Sequence, residues 1–255
     1  MVEMGVQMLA WRMCLTVMVT DSTTSGLGTI TDPRAIAADN LALATWGSSQ
    51  VLATLLHRLP APDLTGAGLR TDIFPLLELG AGTGLVGLSA AAVWKTWACL
   101  TDLPPLLPQL QANVALNRDA LARCGGAAAA AGVLDWSVPG EHIFARTADA
   151  VAFRARVILA ADTVYSEEHP ALLTQAVVAR LERAPRARLI MCYPLRIGYL
   201  EHIRDLWQRL ETAGLVCVQE GREMLEASWE EETPYEWCVW RWQDLGLPLQ
   251  QQQRE

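Results

Sequence analysis

Three aspartates stand where apolar runs end. Asp102 closes "WACLTD", Asp135 sits in "VLDW", and Asp162 follows "ARVILAA". In an open parallel sheet the carboxyl ends of the strands face the binding crevice, so acids placed there can bind a ligand. A carboxylate at Asp102, 18 residues beyond Gly84, can accept hydrogen bonds from both hydroxyls of a ribose. The same side chain could cap a helix beginning at Pro104, and the two roles are compatible. Asp135, or a backbone amide beside it, can take an adenine amino group while Trp136 and other apolar atoms border the ring. Asp162 and Tyr165, in "ADTVYSEEHP", lie at the fourth strand's carboxyl edge, where a reacting group would be met. His169, followed by Pro170, reads as a surface residue at a helix start.

The fourth acid, Glu78, belongs to "LLELGAGTGLVGL". Gly80, Gly82 and Gly84 can take positive φ and leave room for a ligand against the backbone. The helix expected next would aim its first N–H groups at the same place. Two cofactor chemistries share this geometry. Gly82 to Gly87 fits the G-x-G-x-x-G of dinucleotide-binding chains. Glu78 to Gly84 fits E-x-G-x-G-x-G, the loop of S-adenosylmethionine enzymes, in which Glu78 would meet the cofactor's amino end. The loop alone leaves both open.

The elements that must hold these residues alternate between strand and helix. Residues 20–33 read as loop. Residues 34–59 show helical spacing, broken into two pieces at Gly47-Ser48-Ser49 and ending at Pro60. "IFPLLEL" is a buried strand, followed by the glycine turn and a helix from Leu85 to Lys95. "WACLTD" is a strand and "PPLLPQLQANVALNRDAL" a helix with prolines in its first turn. "RCGGAAAAAGVLDW" is read as a loop that becomes a strand at "GVLDW", because glycines flank the alanine run. "ARVILAAD", "RARLIMCY", "LVCVQEG" and "YEWCVWRWQ" are strands. "HPALLTQAVVARLER" and "GYLEHIRDLWQRLETAG" are helices, the second closing on Gly214.

Alternation implies a parallel sheet with helices on both faces. The last two strands have no helix between them, so they form a hairpin and the last strand inserts antiparallel. The expected fold is α/β: a Rossmann-like seven-stranded sheet, mostly parallel with a reversed last strand. A dinucleotide-binding domain has no need of that reversed hairpin, which favours S-adenosylmethionine.

Composition sets the outer bounds. An apolar fraction of 51% supplies a core for one large domain. That domain is expected over residues 31–245, with an N-terminal extension (1–30) and a flexible tail (246–255). A net charge of −8 argues against nucleic acid as the main partner and for a basic protein or peptide. The apolar N-terminus is interrupted by Arg12 and fits neither a signal peptide nor a spanning helix, so no membrane role is expected. It reads instead as a strand or short helix packed on the domain. The six scattered cysteines show no metal-ligand spacing and read as reduced thiols. They point to the cytoplasm, with the nucleus as the alternative.

With these features in order, the chain resembles the family 16 group of eukaryotic seven-strand methyltransferases, best known as non-SET protein-lysine methyltransferases. The resemblance rests on "TWGSSQVLATLL", "ELGAGTGLVGL", "TDLPPLLPQLQANVALN", "LDW" and the D-x-x-Y of "DTVY", across roughly residues 40 to 200. It implies S-adenosylmethionine as cofactor, with Glu78, Gly80, Gly82 and Gly84 at its methionine end and Asp102 at its ribose. Asp135 and Trp136 would border the adenine, Trp46 would close the pocket, and Ala161 would complete the cofactor wall. Asp162 and Tyr165 would be the catalytic pair shaping a lysine entrance. The implied substrate is a lysine of a basic protein, such as a translation elongation factor or a chaperone, met by a monomeric enzyme. Competing readings are a small-molecule N-methyltransferase acting on a nicotinamide-like amine, a cofactor-binding adaptor without turnover, and an NAD-dependent oxidoreductase.

Overall fold

The computed structural model describes residues 45–59, 63–64, 73–125, 127–139, 153–225 and 233–243. The readings of the N-terminal 30 residues, of a helix over 34–44 and of the tail lie outside this set.

Seven strands form one sheet in the order β3-β2-β1-β4-β5-β7-β6. They are β1 (Ile73–Leu79), β2 (Trp97–Asp102), β3 (Ala128–Val133), β4 (Arg154–Ala161), β5 (Arg188–Pro194), β6 (Leu215–Glu223) and β7 (Tyr235–Trp242). The first five are mutually parallel. β7 runs antiparallel to both β5 and β6, so the reversed strand is inserted between them and β6 takes the edge. This is the hairpin expected from two strands without a helix between them.

The central strands are buried on both faces, as continuous apolar runs in a covered parallel sheet must be. Helices α1 (Gly47–Leu55), α2 (Leu85–Trp94) and α3 (Leu107–Arg123) supply Leu52, Val86 and Leu110 to the core on one face. Helices α4 (His169–Arg180) and α5 (Leu200–Thr212) supply Leu173, Val177, Leu206 and Leu210 to the other. Trp240 and Trp242 of β7 lie in this second core, which anchors the reversed strand.

Two local readings are corrected. Gly47-Ser48-Ser49 is not a turn but the first turn of helix α1, with Ser49 N bonding Trp46 O at 3.0 Å. A Cβ on Gly47 would lie 2.1 Å from the Tyr235 hydroxyl, so glycine lets the helix start drop onto the sheet's carboxyl edge. The alanine run is strand β3 itself rather than loop. Its residues pair with β2 from Trp97↔Ala128 to Asp102↔Val133. Gly125, at φ +86°, ends the preceding helix, and the ladder then outweighs alanine's weak helical preference.

The cysteines divide. Cys99, Cys192, Cys217 and Cys238 are free thiols, whereas Cys124 is disulfide-bonded, so the expectation of reduced thiols holds for those four.

Candidate active site

The glycine loop joins β1 to α2 at the carboxyl edge of the sheet. Gly80, Gly82 and Gly84 have φ of +62°, +53° and +84°, a region that costs other residues strain. Two of them serve different ends. A Cβ on Gly84 would lie 2.7 Å from Leu100 and 2.8 Å from Leu110, so this glycine lets α2 dock on β2 and α3. A Cβ on Gly82 would meet nothing within 4 Å, and Gly82 opens onto a cavity.

Neighbouring elements hold the loop in place. Gly82 N donates to Asp102 Oδ2 at 2.7 Å, and Leu103 N donates to Oδ1 at 2.8 Å. Burial pushes the Asp102 carboxyl above its usual range, and these two N–H donors pull it back. No side-chain cap forms at the helical turn Pro104–Leu106, so the expected N-cap role is replaced by this tie to the loop. From α3, Asn113 Nδ2 donates to Thr83 O at 2.9 Å, and Asn117 Nδ2 donates to Asn113 O at 2.8 Å. Both asparagines are fully buried.

Glu78 is set behind the loop. Its Oε2 accepts Gly87 N at 3.0 Å, and the absence of a Cβ on Gly87 makes room for it, since one there would stand 2.5 Å from that oxygen. Burial raises its carboxyl to about 8, against the Gly87 hydrogen bond. Glu78 therefore supports the loop from beneath and does not line the cavity.

The cavity measures about 300 Å³, near the lower bound for small-molecule sites. Its wall contains Trp46, Gly80, Gly82, Asp102, Asp135, Trp136, Ala161, Asp162 and Tyr165, bringing together nearly all the residues singled out from the sequence. Gly84 and Glu78 stand outside it, one packing α2 and the other supporting the turn. Trp136 lies against the glycine turn, its Cζ2 3.2 Å from where a Gly80 Cβ would be. Asp135 is exposed and turns onto Ser137, whose N and Oγ both donate to its Oδ1. Those bonds hold its carboxyl below the usual range.

At the end of β4, Asp162 has φ +58°, a left-handed conformation that is uncommon outside glycine. Ser48 Oγ of α1 donates to its Oδ2 at 3.2 Å, and Arg196 Nη1 reaches its Oδ1 at 3.4 Å. Arg196, just after β5, also faces the rings of Trp46 and Tyr199 at 5.9 and 6.0 Å. The carboxylate expected to draw in an ammonium is thus already shared by a hydroxyl and a guanidinium. Tyr165 is 42% exposed at the mouth.

Sequence reasoning missed Ser48, Asn113, Arg196 and Tyr199, and it set His169 aside. Asn113 left a signal, since Gln109, Asn113 and Asn117 repeat at a spacing of four within an otherwise ordinary helix. His169 and Arg196 left none, because both act through contacts made by tertiary packing.

A seven-stranded sheet with one inserted reversed strand, a glycine loop after its first strand and acids at the ends of the next ones defines the class I methyltransferase fold. Among solved structures, the glycopeptide N-methyltransferase MtfA bound to S-adenosylhomocysteine shares it, with TM-score 0.50 and 10% identity over 76% of this chain and 88% of that one. The sequence profile of the lysine methyltransferase family matches residues 35–205, and the chain belongs to that family. Similar relatives include protein-lysine N-methyltransferase EFM2 of Saccharomyces cerevisiae, 33% identical over 72% of this chain and 44% of its own length. Another is protein-lysine N-methyltransferase rrg1 of Schizosaccharomyces pombe, 31% identical over 88% of this chain and 70% of its own. The chain thus spans less than half the length of the first.

Proposed function

We propose that this protein transfers a methyl group from S-adenosylmethionine to a lysine side chain of a protein substrate. The observation that carries the reading is the convergence of the glycine turn, Asp102 and the Asp162–Tyr165 segment on one cavity. The residues fit the cofactor. Gly82 offers backbone with space before it, the Asp102 carboxylate is fixed beside that space, and Trp136 forms a flat apolar wall. Asp102 would hold the ribose, Gly80 and Gly82 the methionine end, and Trp136 with Leu134 the adenine. Trp46 and Ala161 would complete the pocket. The sulfonium supplies an electrophilic methyl group that needs no further activation.

The chain's own task is to present an uncharged amine in line with that methyl. A lysine at its ordinary pKa near 10.4 is protonated at neutral pH, and an apolar channel lowers that pKa by desolvation. Tyr165 provides one side of the channel and an oxygen that can orient the amine. Asp162, held by Ser48 and Arg196, fixes the channel's floor. The proton leaves to water, and no side chain is assigned as general base. Exposed Glu167 and Glu168 stand just beyond Tyr165, and with the net charge of −8 they favour a basic protein surface as partner. A translation elongation factor or a chaperone is the expected kind of target.

The test incubates the protein with tritiated S-adenosylmethionine and a cell lysate. A labelled protein band whose modified lysine maps by mass spectrometry is the expected result. Label confined to small molecules would replace this reading with a small-molecule N-methyltransferase, and no label at all would leave a cofactor-binding adaptor.

A further inference from the structure

His169 opens α4 and stands in the cavity wall between two aromatic side chains. Its Nδ1 accepts the backbone N–H of Tyr165 at 3.3 Å. Its ring meets the Tyr165 ring edge-on, with centroids 4.2 Å apart and planes at 89°. On the other side lies Trp136, at 6.0 Å and 75°. One ring thus ties together the backbone of the D-x-x-Y turn, the phenol of Tyr165 and the wall assigned to adenine. Burial alone does not fix Tyr165, which is 42% exposed, so its orientation depends on such contacts.

We propose that His169 is a positioning residue that holds the Tyr165 backbone and ring at the reacting end of the cavity, and that it does so only while Nδ1 is unprotonated. A nitrogen that accepts a hydrogen bond has no proton, and protonation would set donor against donor. The surroundings favour the neutral ring. Burial lowers the His169 pKa from 6.5, and the charge of His202 on α5 adds to that, while Glu168 and the Thr163 carbonyl oppose it. Tyr165 and Trp136 bring no formal charge at neutral pH, and Asp135 beside Trp136 is turned onto Ser137. The inference rests on the methyltransferase reading only for the task given to Tyr165.

The chain has four tyrosines, so the protein labelled with 3-fluorotyrosine gives a fluorine NMR spectrum that Tyr165→Phe assigns. On acidification from neutral pH, the Tyr165 resonance should shift with a midpoint below 6.5. In His169→Asn a side-chain oxygen replaces the accepting nitrogen without titrating, so the Tyr165 resonance should carry a constant offset from the lost ring contact and stop responding to acid. In His169→Gln the oxygen lies one bond further out, and Tyr165 should be displaced at every pH. Tyr199, stacked on His202 with centroids 6.0 Å apart, is told apart from Tyr165 by its assignment. A Tyr165 resonance indifferent to acid, or one that titrates alike in wild type and His169→Asn, would overturn the proposal. The readout needs neither cofactor nor substrate, so it stands apart from the assigned activity.

Discussion

Glu78 shows how far a residue's type can mislead about its position. Its place in E-x-G-x-G-x-G suggested a cofactor contact, but the carboxyl is buried under the loop with Gly87 N as donor. With its pKa raised from 4.5 to about 8, the folded protein holds a proton there that the unfolded chain has released. Between those two values the native state binds more protons, so stability falls as pH rises through the window. Glu78→Gln keeps an acceptor for Gly87 and removes the titration. Chemical denaturation should show the variant gaining on wild type by a few kcal/mol, on the order of 3, between pH 5 and 8. Parallel pH profiles would contradict the assignment. Asp162 makes the complementary case, because its left-handed backbone and its contacts with Ser48 and Arg196 were invisible in the sequence. Asp162→Asn preserves shape and backbone tolerance while removing the charge. It should bind S-adenosylhomocysteine within about threefold of wild type and lose roughly 10- to 100-fold in turnover. An equally active variant would remove Asp162 from the channel.

Among elements, the glycine loop and α3 separate binding from folding. Gly82→Ala adds a methyl facing open cavity and should cost about 1 to 2 kcal/mol of backbone strain while sharply weakening cofactor affinity. Gly84→Ala drives a Cβ into Leu100 and Leu110 and should lower stability more, by about 2 to 4 kcal/mol. Denaturation and calorimetry on the pair should rank them oppositely, and the same order in both measurements would refute the division of roles. Asn113→Ala removes the buried tie between α3 and the Thr83 carbonyl and should cost about 1 to 3 kcal/mol in the same denaturation assay. The order and type of the buried strands were legible because apolar runs and glycine turns are local signals. The alanine strand and the start of α1 were not. β3 is a strand because β2 offers it a ladder, and α1 begins at Gly47 because Tyr235, far along the chain, comes close there.

Across the whole molecule, the sequence reading recovered the parallel sheet and the reversed hairpin, since both follow from alternation and its interruption. Of the residues singled out from the sequence, those at strand ends lie together on the cavity wall, because topology places them at one edge. The sequence reading missed those delivered from elsewhere: Arg196 after β5 and His169 at the head of α4 reach the cavity through packing, and Ser48 of α1 reaches Asp162 in its wall. The acidic net charge adds a prediction about the encounter with substrate. If a basic protein is the partner, methylation rates should fall as salt is raised from about 50 to 200 mM, and a rate indifferent to salt would argue for another partner.

The cavity at the sheet's carboxyl edge is assigned an adenosyl-amino-acid cofactor lying across the glycine turn. Calorimetric titration of the protein and of Gly82→Arg with S-adenosylhomocysteine tests it most directly. Wild type should show one site per chain, and the variant no detectable heat of binding. Absence of binding in wild type, or equal binding in both, would contradict it.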